Sequence, residues 1–350
     1  MGKKVKKCKL QKVKKLEPKK AKNQKLSQAK KAKNDEFYTQ ISDIERELKH
    51  YRHYFKDKVV YCNCDDPDAS NFYKYFLCKY KEWGLKKLIT TCYRSQQADR
   101  RSRNDSDHGI CLEYDGDKVV RSYLSGDGDF RSAESIELLK QADIVVTNPP
   151  FSLFREYVAQ LVEYKKKFLI IGSLNAVTYK EIFKLITEDK LWLGPSIHSG
   201  DREFGVPANY PLRAAEYRID RLGNKYIRVK GIRWFTNIGF EERHEALILY
   251  KKYTPEEYPT YANFDAIEVS KTKNIPIDYD GLMGVPISFL DKYNPKQFEI
   301  VGASRCLGRP MSEVASKGAY VAGGRAFYLA NGNGTYRRLY ARFVIRRRQV

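Results

Sequence analysis

The chain lacks any run of about eighteen apolar residues, so nothing in it reads as a membrane span. It also lacks the apolar stretch of a secretory signal near its start. Its seven cysteines, at 8, 62, 64, 78, 92, 111 and 306, are odd in number and form no CxxC pair. Cys62 and Cys64 flank a single residue, which is poor zinc spacing, and the five histidines (50, 53, 108, 198, 244) show no ligand spacing. No metal centre is expected, and the cysteines are expected to be reduced, small apolar residues of a cytoplasmic protein. No internal repeat is present. Acid is in shortest supply: 43 Asp and Glu stand against 65 Lys and Arg, a formal net charge of +22. That imbalance favours a polyanionic partner. Residues 1–34 hold 15 Lys and one Glu with few apolar residues, too few to offset the entropy of ordering, so a disordered tail is expected there. The last thirty residues carry seven Arg and no acid.

At 350 residues the chain can bury a full core and an appendage. From Asp35 onward, amphipathic and apolar stretches alternate. Helices are expected over Ile41 to Tyr54, Phe72 to Tyr80, 132–141 and 153–165. Strands are expected over Lys58 to Asn63, Leu85 to Thr90, Ala142 to Thr147 and Phe168 to Ile171. Ile110–Tyr114 and Val119 to Leu124 read as a hairpin across Asp115-Gly116-Asp117, and Gln96 to His108 as a loop. This β-α-β order predicts an α/β fold with a mostly parallel sheet covered on both faces. After about residue 190 the pattern turns to short strands: Trp192-Leu193, a hairpin over Arg221-Leu222-Gly223-Asn224, Trp234–Ile238 and Ala246–Tyr250. The expected divisions are a tail at 1–34, a main domain at 35–240 and a smaller region at 241–350.

Asn148-Pro149-Pro150-Phe151 is the most informative stretch. The strand before it delivers these residues to the carboxyl edge, where open α/β sheets bind ligands. The Asn148 amide oxygen and the adjoining backbone carbonyl are two acceptors, held by prolyl residues with fixed φ and no N–H. Two acceptors at one point suit an exocyclic amine, and the ring of Phe151 suits the base that carries it. On the tetrapeptide alone, a strand ending in a Pro-Pro turn fits equally well. Asp65 and Asp66, after the first strand's Asn63, can accept from a ribose or a cationic ligand, or simply cap a helix. Asp129 and Phe130 can take the amine and face of an adenine, or belong to a Gly/Asp turn.

These segments resemble the EcoRI-type adenine-specific DNA methyltransferases. So do Asp35-Glu36-Phe37-Tyr38-Thr39-Gln40, Trp234-Phe235-Thr236-Asn237, Lys271-Thr272-Lys273 and Met283-Gly284-Val285-Pro286. The resemblance runs through most of residues 35–300. It implies a Rossmann-like, S-adenosylmethionine-dependent enzyme that makes N6-methyladenine in duplex DNA, with the C-terminal region recognising the target. By that resemblance Tyr38, Thr39, Asn63, Asp65, Asp66, Asp129 and Phe130 contact the cofactor. Asn148, Pro149 and Phe151 take the target amine and base. Apart from the resemblance, Trp234 or Phe235 can close the base's other face, with a core role the favoured reading for both aromatics. The first strand has no Gly-rich turn and the second ends in Thr91-Cys92-Tyr93 without an acid, so the group that holds the ribose stays open. A monomer in a restriction–modification or phage setting, with a cognate endonuclease as a possible partner, is the matching expectation. A methyltransferase of RNA amines or protein amides, and a nucleic-acid-binding protein without catalysis, are the other readings.

Overall fold

The computed structural model describes residues 37–64, 66–68, 70–93, 108–198, 201–206, 210 and 217–348. The Lys-rich tail, nearly all of the expected loop at 96–108, and Asp65 lie outside them. Tyr38–Thr39 form β1 and lead into α1 (Ile41–Leu48), where Ile44 and Leu48, one turn apart, are fully buried. After β2 (Val59–Cys62) comes α2 (Asn71–Trp83). The Ser70 hydroxyl caps it by accepting from Phe72 N at 3.0 Å, and Gly84 ends it in the left-handed region at φ 62°. Strand β3 (Lys87–Cys92) is followed by the hairpin of β4 (Ile110–Tyr114) and β5 (Val119–Tyr123). The Asp115 carboxylate closes that turn by accepting from Asp117 N and Lys118 N, both at 3.1 Å.

Helix α3 (Ala133–Gln141), strand β6 (Ile144–Thr147), helix α4 (Phe154–Glu163) and strand β7 (Lys167–Ser173) follow the expected alternation. Helix α5 (Lys180–Thr187) adds to it, with Ile182 and Ile186 buried one turn apart. Next come β8 (Trp192–Leu193), β9 (Asp201–Val206), β10 (Tyr217–Ile219), β11 (Lys225–Lys230) and β12 (Ile232–Thr236). The C-terminal part holds β13 (Thr260–Tyr261), β14 (Phe264–Glu268), β15 (Met283–Pro286), β16 (Phe298–Ala303), α6 (Ser304–Leu307), β17 (Tyr328–Ala330), β18 (Tyr336–Arg338) and β19 (Arg342–Arg347).

The main sheet has eight strands in the order β5-β4-β3-β2-β6-β7-β12-β8. Only its four middle strands are parallel; β4 and β5 on one side and β12 and β8 on the other run antiparallel. The expectation of a mostly parallel sheet is therefore corrected to a mixed α/β sheet. For the β4–β5 pair the reason is connection length: the two are joined by a tight turn, which permits only antiparallel pairing. Both faces of the central strands are covered, and successive residues there point to opposite cores, as the strand's period of two requires. Val60 and Leu169 face α1 and α2, whereas Tyr61 and Ile170 face α4 and α5.

The second core continues into a five-stranded sheet, β13-β14-β15-β19-β16, where Phe343 stacks on Phe183 of α5 at 5.3 Å. Beneath it, Arg233 of β12 grips Asp291 with two bonds of 2.8 and 2.9 Å, both side chains nearly inaccessible. The described residues form one compact unit. Residues 246–250, expected as a strand, have no strand partner. Instead the Gln297 side chain pairs with Leu247, accepting from its N at 2.8 Å and donating to its O at 2.7 Å. Among the described residues no helix is long and apolar enough to cross a membrane.

Candidate active site

The carboxyl ends of the parallel strands are laced together by hydroxyl groups. Thr90 Oγ1 of β3 donates to Cys62 O at 2.9 Å, and Thr147 Oγ1 of β6 donates to Asn63 O. Asn63 Oδ1 accepts from Tyr157 OH of α4. Asn63 is thus the buried joint of the strand ends. The chain then turns at Cys64, whose φ of 64° is rare for a residue with a Cβ and costs about 1–2 kcal/mol. Gly128 (φ 82°) lies so close to β3 that a Cβ would stand 2.3 Å from Cys92 O, which fixes Asp129 and Phe130 beside that strand end.

Asn148 is 8 % exposed at the end of β6. Its Nδ2 donates to Phe37 O at 2.7 Å, and its Oδ1 has no hydrogen-bond partner among the described residues. A buried acceptor without a donor costs about 1–3 kcal/mol, so such a group marks a binding function more readily than a packing one. The bond to Phe37 decides the amide's orientation: nitrogen is engaged by the strap, and the buried oxygen is left as an unused acceptor among the described residues. The residues before α1 cross this edge as a strap. Phe37 O is tied to Asn148, and Thr39 O accepts from Asn71 Nδ2 of α2 at 2.7 Å. The four-stranded sheet β1-β9-β11-β10 carries the strap, with Tyr38 opposite Gly205 and Thr39 opposite Phe204. Thr39 Oγ1 is buried and, like Asn148 Oδ1, has no partner among the described residues.

Pro149 is buried, and Phe151 is partly exposed at the start of the short turn before α4. The Phe37 ring packs on Phe151 at 5.5 Å, on Phe204 at 5.9 Å and on Tyr210 at 6.4 Å. Asn148, Phe151 and the strap therefore meet at one spot. The contributions of Phe37, Tyr210 and Asn71 went unassigned from sequence, because their roles come from a backbone carbonyl and from chain crossings that leave no periodic pattern.

Asp66 is partly exposed and closes an Asx turn, accepting from Asp68 N at 2.9 Å ahead of the Ser70 cap. Both Asp129 oxygens are bound by the Arg131 guanidinium at 2.9 and 2.7 Å, which holds the carboxyl below its usual range. Arg131 also reaches Glu156 at 3.0 Å. Phe130 is 5 % exposed and packs edge-on to Tyr157 at 5.1 Å. Trp234 and Phe235 are fully buried within β12, against Phe72 at 6.0 Å and Phe154 at 4.9 Å. Of the two roles open for them, their burial fits the core one: a strand covered on both faces buries both of its aromatic faces. A cavity of about 490 Å3 between β8, residues 241–248 and Leu290–Tyr293 contains none of these residues.

A clamped amide acceptor beside an aromatic ring, at the carboxyl edge of an α/β sheet, describes a methyltransferase of amino groups. Comparison with known proteins makes the class particular: the chain belongs to the family of the adenine-specific methyltransferase EcoRI, whose sequence model matches residues 25–348. It is 53 % identical over 286 residues to the Type II methyltransferase M.EcoRI of Escherichia coli, covering 79 % of this chain and 88 % of that protein. It is 41 % identical over 326 residues to the Type II methyltransferase M.MpnI of Mycoplasma pneumoniae, covering 91 % and 97 %. M.MgeORF184P of Mycoplasma genitalium is 39 % identical over 328 residues, covering 91 % and 98 %. No solved structure matches the chain. The protein is a site-specific DNA adenine methyltransferase of the restriction–modification kind.

Proposed function

We propose that the chain transfers a methyl group from S-adenosylmethionine to N6 of an adenine turned out of duplex DNA, with Asn148 receiving the amine. The observation that carries this is the split use of the Asn148 amide: Nδ2 is bonded to Phe37 O at 2.7 Å and Oδ1 is buried without a partner among the described residues. When bound, S-adenosylmethionine supplies an electrophilic methyl on a sulfonium centre. The residues that would hold it are Tyr38, Thr39, Asp66 and the Asp129–Phe130 turn, together with Asp65. The fit is favoured by the unpartnered Thr39 Oγ1 and by the left-handed Cys64 that turns the chain at the β2 end. Asn63 acts from behind, as the joint of β2, β6 and α4. Asp129, although bound by Arg131, keeps acceptor capacity because a carboxylate has about four lone-pair sites.

An adenine N6 is unreachable inside the stack, so the base must leave it at a cost of a few kcal/mol. Stacking on Phe151 offsets about 1–3 kcal/mol of that. Asn148 Oδ1 and the Pro149 carbonyl accept the two N6 hydrogens, which draws the nitrogen toward tetrahedral geometry and aims its lone pair. Positioning of this kind supplies most of the acceleration, and no strong base is needed because the amine becomes acidic only as it gains the methyl group. Residues 241–350 serve as the target-recognition region on a Rossmann-like catalytic part. The enzyme works as a monomer in the cytoplasm, beside a cognate endonuclease where one is encoded.

The test is to incubate the purified protein with S-adenosylmethionine and unmethylated genomic DNA, then read N6-methyladenine by single-molecule sequencing. One methylated motif is expected. Cofactor binding by calorimetry with no mark on DNA would move the substrate to RNA or protein amines.

A further inference from the structure

The β10–β11 hairpin has a feature that its own packing does not explain. Leu222 at its tip is 88 % exposed, and Tyr217 and Ile219 on the strand leading to it are 54 % and 51 % exposed. A tip that needed only to turn would be served by a polar residue. This tip is instead built stiffly. Gly223 N donates to Asp220 O at 3.0 Å and Asp220 N to Asn224 O at 3.0 Å, with Gly223 at φ 79°. The Asp220 carboxylate then accepts from Leu222 N, Asn224 N, Asn224 Nδ2 and Tyr226 OH at 2.8–3.1 Å. Residues 217–230 contain Arg218, Arg221, Lys225, Arg228 and Lys230 against one acid, Asp220. An apolar residue presented on a rigid, basic ribbon has the chemistry of a side chain that enters a base stack while its neighbours meet phosphates.

Register ties this ribbon to the active site. Strand β11 pairs with β9, and β9 with β1, so that Tyr38, Gly205 and Tyr226 lie on one line across the sheet. One residue further along, Phe37, which orients Asn148, comes level with Val206 and Lys225. At two strand spacings, Lys225 stands roughly 10 Å from Phe37. The tip lies beyond Lys225 on the side away from Gly231, whose O accepts from Leu174 N at the end of β7. The hairpin therefore projects past the carboxyl edge, level with the target-amine acceptor.

We infer that Leu222 is a wedge residue that enters the DNA stack at the target site and holds open the place the adenine leaves. The inference rests on the proposed flipping of adenine and names the group that performs the unstacking. Asp220, Gly223 and Asn224 pre-set the tip, so little ordering is left to be done on binding. Leu222 makes no catalytic contact and acts as a positioning residue.

The test compares wild type, Leu222→Ala and Leu222→Met on a duplex oligonucleotide carrying the motif that the wild type marks in genomic DNA. Leu222 is at the surface of a turn closed by Asp220 and Gly223, so both variants keep the fold and the cofactor affinity, checked by calorimetry. With 2-aminopurine at the target position, wild type and Leu222→Met should raise the fluorescence and Leu222→Ala should not. The single-turnover methylation rate of Leu222→Ala on the matched adenine duplex should fall about tenfold or more, equivalent to about 1.4 kcal/mol. Placing the target adenine opposite an abasic site, where the stack is already broken, should restore the rate. A Leu222→Ala rate equal to wild type on the matched duplex would overturn the wedge, as would an equal loss on both substrates. A wild type that marks no DNA would overturn the flipping reading beneath it.

Discussion

Asn148 and Glu47 are two buried polar residues with different obligations. Every oxygen of Glu47 is served inside the protein: Tyr51 OH and Ser196 N donate to it, each at 2.9 Å. Asn148 keeps one atom in reserve. Burial pushes the Glu47 carboxyl up to about 7, and its hydrogen bonds oppose that only in part. An acid raised on folding gives stability that is complete below its unfolded value and is lost as pH rises through the folded one. Stability should therefore fall between about pH 4.5 and 7, by roughly 3 kcal/mol at most. Glu47→Gln should flatten that slope, seen as a smaller difference between melting temperatures at pH 5 and pH 8. Asn71→Ala removes the bond that pins Thr39 O, and loosens the strap that orients Asn148. Because about 1 Å of misplacement can cost on the order of a hundredfold in rate, kcat should fall at least about tenfold, with the melting temperature little changed.

At the scale of elements, the strand into Asn148, helices α1 to α4 and both hairpins were legible in the sequence. Helix α2 and the hairpins combine a clear period with a capping or turn residue: Ser70 and Gly84 around α2, Asp115 between β4 and β5, Gly223 between β10 and β11. The strap was legible as a motif through Tyr38 and Thr39 but its anchoring was not, because β1 has two residues and is fixed by Asn71 and Asn148 from distant segments. Residues 246–250 misled for the opposite reason: their alternation is genuine, but a glutamine side chain takes the partner strand's role. Trp234 and Phe235 kept a core role and a stacking role open in the sequence, because adjacent residues in a strand face opposite sides and sequence does not say that both sides are covered. The candidate site was legible as motifs in order, while its clamping of Asn148 by a backbone carbonyl was not. Ser70→Ala should cost about 0.5–2 kcal/mol through loss of the α2 cap, measured by urea unfolding. The buried Arg233–Asp291 pair ties β12 to the C-terminal part. Leaving its carboxylate alone in Arg233→Ala should destabilise the protein by about 3–5 kcal/mol, read in the same assay.

For the whole molecule, charge and shape divide the labour. The formal charge of +22 favours DNA without choosing a sequence, and residues 1–34 alone hold 15 of the Lys. Removing that segment should weaken DNA binding and flatten the plot of log affinity against log salt, since each phosphate no longer neutralised lowers the slope by about 0.9. The methylated motif should stay the same. A changed motif would show that the tail reads sequence. The folded part then supplies direction: strand ends laced at Asn63, a strap that holds one amide by its nitrogen and leaves its oxygen as a buried acceptor, and a stiff hairpin level with it.

The most direct measurement of the central claim is single-turnover methylation by Asn148→Ala beside wild type, with S-adenosylmethionine affinity measured on both. An acceptor aimed at the target amine predicts a rate loss on the order of a hundredfold or more with cofactor affinity nearly unchanged. Methylation by Asn148→Ala at close to the wild-type rate would contradict it, and would return Asn148 to the role of a strand-end turn residue.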